Sequence, residues 1–132
     1  MKRVPLMAAA ALALAALVGL LGRGLGQEPD AGDLAPIMNE NLRESQLLLR
    51  NLALADRKSV GENALRIAAY GNAVADLDPP RDPENVGTFR YLAYGLHVRA
   101  QEVAASRTPK TALEKYGEML DMCMDCHQLF RD

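Results

Sequence analysis

Thr108-Pro109-Lys110-Thr111-Ala112-Leu113-Glu114-Lys115-Tyr116-Gly117-Glu118-Met119-Leu120-Asp121-Met122-Cys123-Met124-Asp125-Cys126-His127-Gln128-Leu129-Phe130-Arg131 is the run that decides the fold. It opens on Thr108, a side chain that caps helix starts, and then Pro109, whose fixed φ and missing N–H suit a first helical position. Ala112, Leu113, Tyr116, Met119, Leu120, Cys123, Cys126, His127 and Phe130 then follow a three-four spacing. That period belongs to one face of an α-helix.

Working back from this run, the same logic repeats three times. Asp82-Pro83 is a second cap-then-proline signal, and Val86, Phe89, Leu92, Ala93, Leu96, Ala100 and Val103 form the stripe of a helix closing near Ser106. Before it, Asp76 to Glu84 holds Asp78, Pro79, Pro80, Asp82 and Pro83, the clearest break in the chain. Ser59-Val60-Gly61-Glu62 has the S-x-x-E form of a capping box, which starts a helix carrying Ala64, Leu65, Ile67, Ala68, Gly71 and Val74. Its small residues would let a neighbouring helix, or a flat ring, come close. The first helix is expected from Asp33, as N-cap, to about Ala55, with Pro36 in its first turn. Its inward stripe reads Leu34, Ile37, Met38, Leu42, Ser45, Leu49 and Leu52, leaving Asn39, Glu40, Arg43, Glu44 and Arg50 for the other faces. Asp56-Arg57-Lys58 then makes a short turn. No segment alternates with period two long enough for a strand. The expected fold is all-α, an antiparallel up-down-up-down four-helix bundle.

Cys123-Met124-Asp125-Cys126-His127 has the form C-x-x-C-H, the attachment signature of a c-type haem. Two thiols can add across the two vinyl groups of one haem. Residues three apart share a helix face, so both sulfurs reach one porphyrin edge. The next residue, His127, can bind the iron from one side. Three other readings exist. A disulfide at this spacing would close a tiny loop. A closed zinc site wants four ligands, and the chain offers one cysteine pair, His127 and His97. A thioredoxin-like redox pair sits in a βαβ context that this pattern lacks.

Composition bounds the rest. A chain of 132 residues holds one small domain. Lys2 and Arg3 precede an uninterrupted apolar and small run from Pro5 to Leu21, and Gly24 and Gly26 supply small residues for cleavage before Gln27. Residues 1–26 therefore read as a secretory signal peptide, with an uncleaved anchor as the alternative, and residues 27–132 as the single domain. Removing Lys2, Arg3 and Arg23 from 15 basic residues against 17 acidic ones moves the formal charge from −2 to −5. That balance argues against nucleic acid as a partner. No Ser-His-Asp arrangement, phosphate loop or paired catalytic carboxylates with a motif around them is found, so a carrier is expected rather than an enzyme.

The nine residues Cys123 to Arg131 have the form C-x-x-C-H-x-x-F-R, and the motif lies at the end of a fourth helix after an exported N-terminus. In these respects the chain resembles the class II c-type cytochromes, which comprise cytochrome c-prime and its methionine-ligated low-spin relatives. The close match covers those nine residues. The resemblance implies one covalent haem c, attached outside the cytoplasm through Cys123 and Cys126, with His127 on the iron and Arg131 near the haem. It also implies a periplasmic location, redox partner proteins, no membrane association after signal cleavage, and a possible homodimer through the first two helices.

The other side of the iron decides function. In an antiparallel bundle the start of helix one lies beside the end of helix four, so Met38 and His127 should share a level. A thioether is a known haem-iron ligand. Ile37-Met38-Asn39-Glu40-Asn41-Leu42 also looks like the early first helix of the low-spin relatives, where a Met is the second ligand. The expected function is a monohaem electron carrier with His127 and Met38 as metal ligands. The alternative is a five-coordinate cytochrome c-prime binding nitric oxide or carbon monoxide, with Met38 as core packing. His97 is expected about ten residues beyond the haem level, roughly 15 Å, as a boundary residue. Val86, Phe89 and Arg90, with Ala68, Gly71 and Ala75, are candidates to line the pocket.

Overall fold

In a computed structural model, residues 34–131 are described. The signal peptide over residues 1–26, its cleavage point, the lead-in over residues 27–33 and the Asp33 cap lie outside them. Four helices follow in order: α1 Leu34–Ala53, α2 Arg57–Ala75, α3 Val86–Ala105 and α4 Pro109–Phe130, with a 3₁₀ turn at Pro83–Asn85. They pack as the expected four-helix bundle, and no strand occurs among the described residues. Among those residues no helix is long and apolar enough to cross a membrane.

The helix ends follow from local chemistry. Thr108 caps α4 as expected, its hydroxyl accepting from the Thr111 N–H at 3.1 Å. The α1–α2 connection differs from the expected capping box. Asp56, not Ser59, is the N-cap of α2, accepting from the Ser59 N–H at 3.1 Å and from the Ser59 hydroxyl at 2.6 Å. A carboxylate three residues before Ser59 outcompetes the Ser59 hydroxyl as acceptor and starts the helix at Arg57. The α1 end closes on the same residue. Asp56 N–H donates to Asn51 C=O at 3.0 Å, Ala55 N–H donates to Leu52 C=O at 3.1 Å, and Ala55 has φ 54°. This is a Schellman motif with alanine where glycine is usual.

Asp82 also departs from expectation. It takes a left-handed conformation, φ 55° and ψ 63°, and its side chain caps nothing. A residue before proline is disfavoured in the right-handed region, and aspartate tolerates the left-handed one. The 3₁₀ turn intervenes, and α3 starts after Asn85.

The core has two parts. Leu48, Val60, Ala64, Ile67, Leu96, Ala100, Val103, Tyr116 and Met119 fill the end near the α1–α2 and α3–α4 connections. Ile37, Val74, Phe89, Leu92, Ala93 and Phe130 fill the other end. The helices α2 and α3 approach most closely: a Cβ on Gly71 would stand 2.8 Å from the His97 nitrogen and 3.0 Å from the Ala93 carbonyl oxygen. The small residues of α2, Ala68 and Gly71 among them, are thus used by α3 rather than by a ring. By contrast α1 and α4 touch at few points.

The inward face of α1 is rotated from the expected one. Ile37, Asn41, Glu44 and Leu48 are buried, whereas Leu42 is 60% and Leu49 48% exposed. Glu44, expected on an outer face, is 2% exposed. The reason is a polar network against α2. Asn63 Nδ2 donates to Glu44 Oε2 at 2.6 Å, Arg66 Nε donates to the same oxygen at 2.9 Å, and Asn51 Nδ2 donates to Asn63 Oδ1 at 2.8 Å. Fully paired, a buried carboxylate is tolerated.

Candidate functional site

One hydrogen bond fixes how α1 and α4 face each other. Ser45 Oγ and Tyr116 OH lie 2.9 Å apart. Successive residues of an α-helix turn by about 100° and rise about 1.5 Å. Met38, seven residues before Ser45, therefore lies within about 20° of the same azimuth on α1. Seven and eleven residues after Tyr116, Cys123 and His127 lie within about 20° of the Tyr116 azimuth on α4. All three side chains therefore sit on the faces that flank the α1–α4 seam. In level, Met38 matches Cys123, and His127 lies roughly 6 Å further toward the end of the bundle. Met38 and His127 were expected at one level; on this geometry they are offset by about one helical turn.

The side chains fit this placement. Cys126 and Met38 are both half-buried, and both pack against the core cluster to which Ile37, Phe89 and Phe130 belong. Cys123 is half-buried against the other core cluster, while Met122 touches both. Phe89 and Phe130 meet edge to face, ring centroids 5.2 Å apart, and hold the end of α4 to the start of α3. The imidazole of His127 is exposed, since α1 does not close over it. Both cysteines are free thiols. Burial and the neighbouring Cys126 push the Cys123 thiol up to about 11, and burial also raises that of Cys126. Both are thus neutral at pH 7. No cluster of three or more His, Cys, Asp and Glu side chains poised for a metal ion occurs among the described residues.

The remaining candidates divide. Arg131 is exposed just beyond α4. Its N–H donates to the His127 carbonyl at 3.2 Å, and its own carbonyl accepts from Arg81 at 3.3 Å. Val86 is half-buried and Arg90 exposed; of the α3 candidates only Phe89 enters the core. His97 lies nearer than expected. A Cβ on Gly95 would stand 2.8 Å from the Met122 sulfur, so His97 is about 3 Å along the bundle from the level of Met122 and roughly 10 Å from that of His127, against the roughly 15 Å expected. Its ring nevertheless turns away from α4. Its Nδ1 is 2.8 Å from the Ala68 carbonyl oxygen, which can only accept, so Nδ1 carries the proton, and the ring stacks on Tyr94.

Two residues near Met38 escaped the sequence reading. Tyr70 of α2 packs against the same cluster, and burial, with Glu40 and Glu44 nearby, raises its phenol above the ordinary range. Asn41 is buried one turn after Met38. The spacing of Asn41 from Met38 was visible; its burial was masked by Leu42, which claims the inward position on hydrophobicity alone.

No protein-family model, curated protein or solved structure matches this chain.

Proposed function

We propose that this chain is an exported monohaem c-type cytochrome that carries single electrons for partner proteins outside the cytoplasm. One observation carries the reading. The Ser45–Tyr116 contact sets Met38 on one side of a sparsely packed seam and Cys123 and His127 on the other. A haem bound there supplies a one-electron iron couple. Cys123 and Cys126 would hold it by thioether bonds, each S–H adding across one vinyl group. His127 would bind the iron from α4 and Met38 from α1, a ligand pair that raises the reduction potential. Ile37, Phe89 and Phe130 belong to the buried apolar cluster against which Met38 and Cys126 pack. Because the ligands ride on packed helices, little needs to move when the charge changes.

The test is export of the full chain in a cell that matures c-type cytochromes. The proposal expects one haem that stays on the polypeptide in denaturant and acidified organic solvent. Cys123→Ser combined with Cys126→Ser abolishes that attachment. Wild-type protein emerging without covalent haem would end the proposal.

A further inference from the structure

The outer side of the α1–α4 seam is apolar and open. Leu42 and Leu49 of α1 and Leu113 of α4 are 60%, 48% and 53% exposed, and Leu120 is half-buried. Single exposed leucines need no explanation, but four along one groove do. Measured from the Ser45–Tyr116 contact, Leu42 and Leu113 each turn about 60°, and Leu49 and Leu120 about 40°, in the same sense. The helices are antiparallel, so equal turns carry both rows to the same side of the seam. The buried Asn41, Glu44 and Leu48 of α1, and Ala112 and Met119 of α4, turn the other way. In level, Leu49 matches Leu113 and Leu42 matches Leu120 to about 1.5 Å. The Leu49–Leu113 rung lies outside the haem site proposed above, since Leu113 stands about 21 Å along α4 from His127.

Charges of opposite sign flank this strip. About 140–160° round from Ser45 stand Arg43 and Arg50; at the same angles from Tyr116 stand Glu114 and Asp121. All four are exposed. Arg43 also reaches Glu40 at 2.7 Å, and Glu114 lies 4.0 Å from Lys110 on the same flank. Arg50 and Asp121 make no ion pair among the described residues. An apolar strip with one basic and one acidic edge is complementary to itself under a two-fold rotation.

We propose that this face joins two copies of the chain, about a two-fold axis parallel to the seam that lays α1 of each copy over α4 of the other. That axis preserves level. It brings Arg50 within about 4.5 Å in level of Glu114 of the second copy, and Arg43 within about 4.5 Å of its Asp121. The two leucine strips close on each other between these edges, as the seams of a helical bundle do. An axis across the seam would instead lay α1 over α1, basic edge against basic edge. The surface differs from the α1–α2 face that the resemblance implies, and the inference does not rest on the haem reading.

The experiment is sedimentation equilibrium of the exported protein as purified, over a range of concentration and salt. The proposal expects a monomer–dimer equilibrium that weakens as salt rises. Leu49→Glu and Leu113→Glu each weaken it about tenfold or more, because each would bury a carboxylate in the apolar strip. Arg50→Glu weakens it too, and adding Glu114→Arg restores it, which an α1-over-α1 arrangement would not do. Unfolding midpoints of the dilute variants stay near wild type, since every substituted side chain is exposed in the monomer. If a leucine variant does not fold, the charge pair at the rim decides alone. A monomer at millimolar concentration, a dimer indifferent to both leucine variants, or a double charge swap no better than Arg50→Glu would overturn the proposal. Covalent haem is read separately on a denaturing gel; a dimer without it ends the functional reading and leaves this inference standing.

Discussion

Replacing Gly71 by alanine sets two effects of opposite sign against each other. Alanine is favoured over glycine in a helix interior by about 1 kcal/mol, so propensity alone makes the variant more stable. Packing reverses this. The new Cβ would meet the His97 nitrogen at 2.8 Å, the Ala93 carbonyl oxygen at 3.0 Å and the His97 Cα at 3.2 Å. These are backbone atoms of a neighbouring helix and cannot swing aside. Ordinary contact requires α2 and α3 to separate by roughly half an ångström, and overpacking of this kind costs about 1–3 kcal/mol. Separation also strains the His97–Ala68 hydrogen bond at 2.8 Å. The net expectation is a loss of about 1–2 kcal/mol, or roughly 5–10 °C in Tm for a domain of this size. Gly117→Ala is the internal control. A Cβ there meets nothing within 4 Å, so it should gain about 0.5–1 kcal/mol. Both are read by thermal unfolding followed by far-ultraviolet circular dichroism. Gly71→Ala as stable as Gly117→Ala would refute the close approach of α2 and α3.

Glu44→Leu leaves Asn63 and Arg66 without their shared acceptor and should cost about 2–3 kcal/mol, less than the ~3–5 kcal/mol of a fully buried broken pair because Arg66 can rehydrate. Adding Asn63→Leu should recover much of that loss; denaturant unfolding of both variants decides. Ala55→Gly relieves the left-handed residue that ends α1 and should stabilise the protein by about 1 kcal/mol in the same assay. Asp56 is held below the ordinary carboxylate value by its hydrogen bonds to Ser59. Its folded pKa lies below its unfolded one, so its contribution is fully present above about pH 4 and is lost as pH falls through the folded value. Asp56→Asn keeps an acceptor and should flatten that part of the stability–pH curve. In haem-free protein, raising the Cys123 thiol from 9.0 to about 11 leaves a hundredfold less thiolate. Part of that loss is offset by higher intrinsic nucleophilicity, so Cys123 should react with a disulfide reagent about tenfold more slowly folded than in urea. Equal rates would contradict its burial.

The sequence carried the helices because each had a periodic stripe and a local stop. Thr108-Pro109 worked as read, since nothing else nearby competes for the Thr111 N–H. Ser59 misled because a better acceptor, Asp56, stood three residues earlier. The largest departure is on α1. Two stripes run along that helix, Ile37-Asn41-Glu44-Leu48 and Met38-Leu42-Ser45-Leu49, about 100° apart. Hydrophobicity favoured the second. Pairing of Glu44 with Asn63 and Arg66 of another helix favoured the first, and no local pattern announces such a partner. The place of Cys123, Cys126 and His127 together near the end of α4 was legible from spacing, because spacing on a helix is geometry. The position of His97 was not, since it depends on how far α3 slides along α4, set here by Met122 against Gly95.

The visible spectrum of the exported, haem-loaded protein tests the central claim most directly. It is recorded oxidised and reduced, with and without carbon monoxide, for wild type and for Met38→Ala. The account predicts a low-spin wild type indifferent to carbon monoxide, and a high-spin Met38→Ala that binds it. A high-spin wild type that takes up carbon monoxide at once would contradict ligation by Met38 and leave an open, gas-binding site in its place.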